Sequence, residues 1–100
     1  MKDVLGKRDI LLRMLRNLVS AYTARGLTAK AIDVLSLLIR VNPDSAEEYR
    51  QRGILEVHAG RLAAAKQDLA RYLELVPTPE ERERARQDVQ KIQHWLASMN

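Results

Sequence analysis

A spacing of 34 residues recurs along the chain. Gly26 and Gly60, Ala31 and Ala65, Leu35 and Leu69, Ile39 and Leu73, and Pro43 and Pro77 all pair in that single register. No insertion interrupts it. The better-marked copy is residues 49–77, YRQRGILEVHAGRLAAAKQDLARYLELVP. It reads as two helices joined by a tight turn at Gly60, with Pro77 ending the second. A unit of this size cannot bury its apolar face alone, so the copies must stack on each other.

Local signals divide the rest of the chain. Residues 1–8 give no helix signal. Asp9 is the expected N-cap of the first helix, because its carboxylate can accept from the open amides of the first turn. From Ile10 onward, apolar side chains fill an arc of roughly 200°, wider than an ordinary surface helix shows. Leu15, Leu18, Val19 and Tyr22 are expected to face the partner helices. Ile10, Leu11 and Met14 extend beyond that side and form a candidate docking patch, which only Val4 and Leu5 of the lead segment could cover. Gly26 ends the helix in the left-handed conformation that glycine adopts without a Cβ penalty. Thr28 is expected to cap the second helix, and Ala31 marks its close crossing with the first. Asn42-Pro43-Asp44 stops it.

Ser45 and Glu48 have the spacing of a capping box for the third helix. Gly53 removes a Cβ where a partner helix should approach. Residues 62–76 form the fourth helix. Thr78 and Glu81 form a second capping box, with Pro79 at the first helical position, where its missing amide costs nothing. The last helix runs to about Ala97. It carries a narrow stripe of Ala85, Val89, Ile92 and Leu96, with Trp95 alongside. That stripe leaves the 34-residue frame, whose apolar positions would fall on Glu83, Arg86, Gln87 and Gln90. The last helix is therefore expected to cap the stack. The expected organisation is one domain: a lead segment 1–8, repeats at 9–43 and 44–77, and a cap at 78–98.

The pattern of turn glycine, early alanine and terminal proline resembles the tetratricopeptide repeat over residues 12–77. The resemblance implies an all-α, right-handed α-α superhelix of two helical hairpins plus a C-terminal capping helix. A narrower resemblance covers nearly the whole chain. The runs LRNLVSAY, ARGLTAKAIDVLSLLIRVNPD, YRQRGIL and AGRLAAAKQDLARYLELVP are similar to the C-terminal repeat region of bacterial transglutaminase-like proteins of the Sir-B type. In that family a papain-like or transglutaminase-like domain precedes a short helical-repeat tail. The catalytic Cys and His would lie upstream, and this chain has no Cys to take that role.

Composition excludes several functions. Without Cys there is no thiol nucleophile, disulfide framework or Cys-based zinc site. His58 and His94 are isolated from each other in sequence, and no phosphate loop or nucleophile–base pair is visible. No catalysis, cofactor or metal is expected. No apolar run approaches the length of a membrane span and no signal peptide opens the chain, so a soluble cytoplasmic protein is expected. Residues 1–41 hold eight basic and three acidic side chains, whereas residues 79–100 balance to zero. The basic first hairpin makes a small helical nucleic-acid-binding domain the second reading.

The first reading is a non-catalytic module for protein–protein or interdomain interaction, as the tail of a transglutaminase-like protein. In tetratricopeptide proteins the exposed face of each first helix lines a concave surface. By register, the resemblance puts Arg13, Arg16 and Ser20 there from the first repeat, and Glu47, Arg50, Ile54 and Val57 from the second. Arginine forks hold carboxylates with two bonds, so an acidic peptide or C-terminus is the expected ligand class. Some family members clamp carboxylates with Lys and Asn over three repeats, where this chain has Arg16, Ser20 and Gln51 over two. Alternatively, Arg50 simply pairs with Glu47 one turn away. The protein is expected to be a monomer or to self-associate weakly.

Overall fold

The computed structural model describes residues 6–98. Five helices follow in order: α1 (Lys7–Ala24), α2 (Thr28–Val41), α3 (Ala46–His58), α4 (Leu62–Leu75) and α5 (Pro79–Ser98). Helices α1 and α2 pack as one hairpin and α3 and α4 as the next, with α3 against α2 and α5 against α4. The molecule measures 50 × 35 × 19 Å. Its thin dimension is about two helix diameters, so the hairpins lie side by side in two layers. The fold is an all-α helical repeat.

Both hairpin turns are built the same way, 34 residues apart. At the first, the Gly26 amide donates to the Thr23 carbonyl at 3.0 Å and the Leu27 amide to Tyr22 at 2.9 Å. At the second, Gly60 donates to Val57 at 3.1 Å and Arg61 to Glu56 at 2.8 Å. These are the paired bonds of a Schellman ending, which requires a left-handed residue. Gly26 and Gly60 supply it with φ of 75° and 78°.

The capping expectations fare unevenly. Helix α1 starts at Lys7, preceded by Gly6 in the left-handed region, so Asp9 is not its cap but a first-turn residue. There its charge still favours the helix dipole. The early start is held by Arg8, whose guanidinium donates to the Val41 carbonyl at the end of α2 at 2.9 Å. Thr28 is already helical, and α2 follows Leu27 without a side-chain cap. The Schellman turn leaves no residue spare for one. Ser45 precedes α3 but makes no side-chain cap bond, and the reciprocal half of the box is also missing, because the Glu48 side chain goes to Arg16. The Thr78 box forms in part. The Glu81 amide donates to Thr78 Oγ1 at 3.1 Å, and that hydroxyl donates to the Glu81 carboxylate at 2.9 Å.

The core is aliphatic. Leu12 and Val19 of α1 meet Ala31, Ile32, Val34, Leu35 and Leu38 of α2 and Leu55 of α3. Gly53 sits in the α3–α4 crossing. A Cβ there would lie 3.0 Å from both Cγ and Cδ2 of Leu69, so the close approach expected from the sequence is real. Ala85 and Val89 bury the cap against the second hairpin, and the His58 ring meets Trp95 at 5.1 Å between centroids. The arc of α1 is used less than its sequence suggests. Ile10, Leu11 and Leu18 are exposed, and Met14 is 59% exposed. Val4 and Leu5 lie outside the described residues.

Candidate functional site

Two faces of the stack can meet another molecule. The first is an open groove of about 460 Å³ between α1 and α3, walled by Val19, Ser20 and Thr23 on one side and Gln51, Ile54 and Leu55 on the other. It is mostly apolar, with Ser20, Thr23 and Gln51 as its polar groups. The second is the outer face of α1, where Leu11, Met14 and Leu18 stand exposed.

The structure separates the concave-surface candidates. Ser20 and Ile54 line the groove. Arg13 is exposed. Val57 is only 3% exposed and belongs to the interior, so it cannot meet a ligand. The helical register alone does not distinguish a buried position on α3 from one on the groove side.

Arg16 and Arg50 occupy equivalent positions and do equivalent work. Arg16 donates to the buried Glu48 carboxylate of the next hairpin at 3.3 Å. Arg50 donates to Asp88 on α5 and approaches Glu47 at 3.6 Å. Hydrogen bonding to Asp88 holds the Arg50 guanidinium above its ordinary value. Arg16 therefore ties the first repeat to the second, and Arg50 ties the second repeat to the cap helix. The local Glu47 contact is present, but the shorter bond reaches the cap.

A buried polar network lies between the second pair of helices. Arg52 holds Asp68 with two bonds of 2.7 Å, donates to Ser36 Oγ of α2 at 3.1 Å and approaches Glu56 at 3.8 Å. Its guanidinium also sits 5.7 Å from the centre of the Tyr49 ring. Glu48, Glu56 and Asp68 are all buried, and one carboxylate oxygen each of Glu48 and Glu56 has no partner. No sequence motif marks this network. The equivalent positions in the first repeat are Leu18 for Arg52 and Val34 for Asp68, and that substitution of charge for hydrocarbon is its one visible trace.

Burial first, then the hydrogen bond to Asp68 and its charge, push the Glu56 carboxyl up to about 8. Arg52 and Arg61 pull the other way and do not win. In the unfolded chain this group titrates near the ordinary Glu value of about 4.3. Between those two values the folded protein holds a proton that the unfolded chain has released. The stability tied to that proton is fully present below the unfolded value and is lost as pH rises through about 8. Between pH ~6 and ~8.5 the domain should lose about 1–3 kcal/mol. Glu56→Gln should flatten that slope. Thermal melts across this range check it, and an unchanged slope in the variant means Glu56 is ionised in the fold.

None of the described helices is long and apolar enough to cross a membrane. Among the described residues, no three His, Cys, Asp or Glu side chains gather as a metal site.

Helical hairpins stacked at a fixed period, with an open groove between their first helices, define a helical-repeat scaffold of the kind that presents surfaces to other polypeptides. The model of the tetratricopeptide repeat family matches residues 18–90, and the chain belongs to that family. It is also similar to a UPF0162 protein in each of two strains of Xylella fastidiosa, at 35% identity over 71 residues. That match covers 71% of this chain and 25% of each relative. The chain thus spans about a quarter of the length of the curated relatives it matches. No solved structure matches it.

Proposed function

We propose that this domain is a non-catalytic interaction module that docks against an upstream domain of the same protein, a transglutaminase-like domain by the resemblance of its repeats. The observation that carries this reading is the exposed apolar face of α1. Leu11, Met14 and Leu18 correspond, one repeat on, to Ser45, Glu48 and Arg52. In the second repeat two of these reach back to the preceding hairpin: Glu48 to Arg16 of α1, and Arg52 to Ser36 of α2. The same surface of the first repeat carries hydrocarbon, and all three side chains are exposed. A contiguous apolar patch of this kind marks an interface, and this one has the position of a stacking face. The greater length of the relatives agrees with a domain that works inside a longer chain.

The groove between α1 and α3 is the natural second surface, suited to a peptide that buries an apolar side chain on Ile54 and Leu55. The nucleic-acid reading has less support, because Arg8 and Arg16 of the basic hairpin are already bonded to Val41 and Glu48.

Leu11→Glu/Met14→Glu should leave the domain folded by circular dichroism. It should weaken docking of the separately expressed upstream domain by about tenfold or more, the effect of removing a buried apolar anchor worth ~2 kcal/mol. If the double variant unfolds, these side chains are core. If it docks as well as the parent, the face is not the interface. Binding to generic DNA or RNA that falls steeply with salt would instead favour the nucleic-acid reading.

A further inference from the structure

The cap helix carries charge that the repeat frame does not explain. Between α3, α4 and α5 lies a polar hollow of about 380 Å³, lined by Arg50, Tyr72, Arg84, Gln87, Asp88 and Lys91. Asp88 is satisfied by Arg50. Arg84 and Lys91 are exposed and form no ion pair or hydrogen bond among the described residues. Positions 84, 88 and 91 fall on one face of a helix. The helix itself therefore sets a free cation on each side of a carboxylate that is already paired. Arg50, Arg84 and Lys91 stand against Asp88 and Glu47, the latter 3.6 Å from Arg50, and Tyr72 and Gln87 add a hydroxyl and an amide to the wall. Burial raises the Tyr72 phenol above its ordinary value, with the charge of Asp88 adding. Arg84 also borders a second depression, walled by Ala46, Tyr72, Val76 and Pro77 with the carboxylates Glu47 and Glu81 at its edge.

We propose that this hollow is an anion subsite that takes the carboxylates of an acidic peptide segment, with Arg84 and Lys91 as its charged contacts and Tyr72 and Gln87 as hydrogen-bond donors. The inference rests on the protein-interaction reading above and places acidic recognition on the cap rather than on the repeats. Arg16 and Arg50, which the sequence offers for this role, are engaged in holding the stack together. The occupant is a short peptide rather than a nucleic acid for two reasons. Residues 79–100 carry no net charge, so a long polyanion would meet Glu80, Glu81 and Glu83 as well. The free cations are also seven residues apart, about 10 Å along a helix, a span that two or three neighbouring carboxylates can bridge. The depression beside Arg84 would receive a flanking hydrocarbon side chain on Val76 and Pro77 and not a further carboxylate, because Glu47 and Glu81 share its walls.

The test is a titration of the isotope-labelled 100-residue chain with tetraglutamate, followed by amide chemical shifts. Tetralysine and a deoxythymidine decamer serve as controls. Saturable shifts centred on Tyr72, Arg84, Gln87 and Lys91 are expected. Arg84→Ala/Lys91→Ala should weaken tetraglutamate binding by about tenfold, equivalent to ~1.4 kcal/mol. Arg13→Ala/Arg25→Ala should leave it unchanged. The inference is overturned by shifts spread over the basic first hairpin, by unchanged binding in the α5 double variant, or by tighter binding of the decamer at the same residues. Both α5 side chains are exposed, and circular dichroism verifies that their removal leaves the fold intact. If tetraglutamate binds in the hollow while Leu11→Glu/Met14→Glu leaves domain docking intact, the docking reading alone fails. If docking is lost in that variant and the hollow stays silent, this inference alone fails.

Discussion

Arg52→Ala is expected to cost about 3–5 kcal/mol, the usual effect of removing one partner from a buried charge cluster. The guanidinium holds both oxygens of Asp68 at 2.7 Å, reaches Ser36 at 3.1 Å and lies 3.8 Å from Glu56. Its loss strands two buried carboxyl groups at the crossing of α3 and α4. A domain of this length should sit near the low end of the usual range of about 5–15 kcal/mol, so the variant should be substantially unfolded at physiological temperature. The first repeat suggests the rescue. It carries Leu18 and Val34 where the second carries Arg52 and Asp68. Arg52→Leu/Asp68→Val should recover most of the lost stability, because replacing a buried ion pair by hydrocarbon of similar size is often neutral or stabilising. Urea denaturation of the single and double variants checks this. A single variant with an unchanged midpoint would mean the network is solvated and contributes nothing.

Leu35→Ala should be nearly as damaging. Leu35 is completely inaccessible to solvent and lies at the centre of the cluster formed by Leu12, Val19, Ile32 and Leu38. Truncating it removes hydrocarbon from the core and leaves a cavity, at a cost of about 2–5 kcal/mol. Helices α1 and α2, which bear most of this cluster, are joined by a short Schellman turn and have little freedom to close the space, which favours the upper part of that range. The denaturation midpoint should fall while the slope stays the same. A midpoint within error of the parent would mean the helices collapse onto the void, and that the stack is more plastic than its turns suggest.

The sequence by itself determined the features that depend on backbone and periodicity. Gly26 and Gly60 mark turns because only a left-handed residue completes the Schellman bonds, whatever surrounds them. Gly53 marks the close crossing because a missing Cβ is a property of the residue. The 34-residue register follows from the same local cues, and α5 reads as a cap because its narrow apolar stripe can serve only one neighbour. Tertiary structure decided how the long polar side chains are spent. Ser45 and Glu48 have the right spacing for a capping box, yet Glu48 goes to Arg16, 32 residues away. Arg50 has Glu47 one turn off, yet its closest bond is to Asp88, 38 residues on. Val57 lies on the ligand side in a linear register and in the interior once α3 is rotated into place. A salt bridge or buried carboxyl is chosen by distance in space and by access to water, and neither is written in the spacing of residues along one helix. For the same reason, the cations left free on α5 became visible only after the stack had claimed Arg16, Arg50 and Arg52.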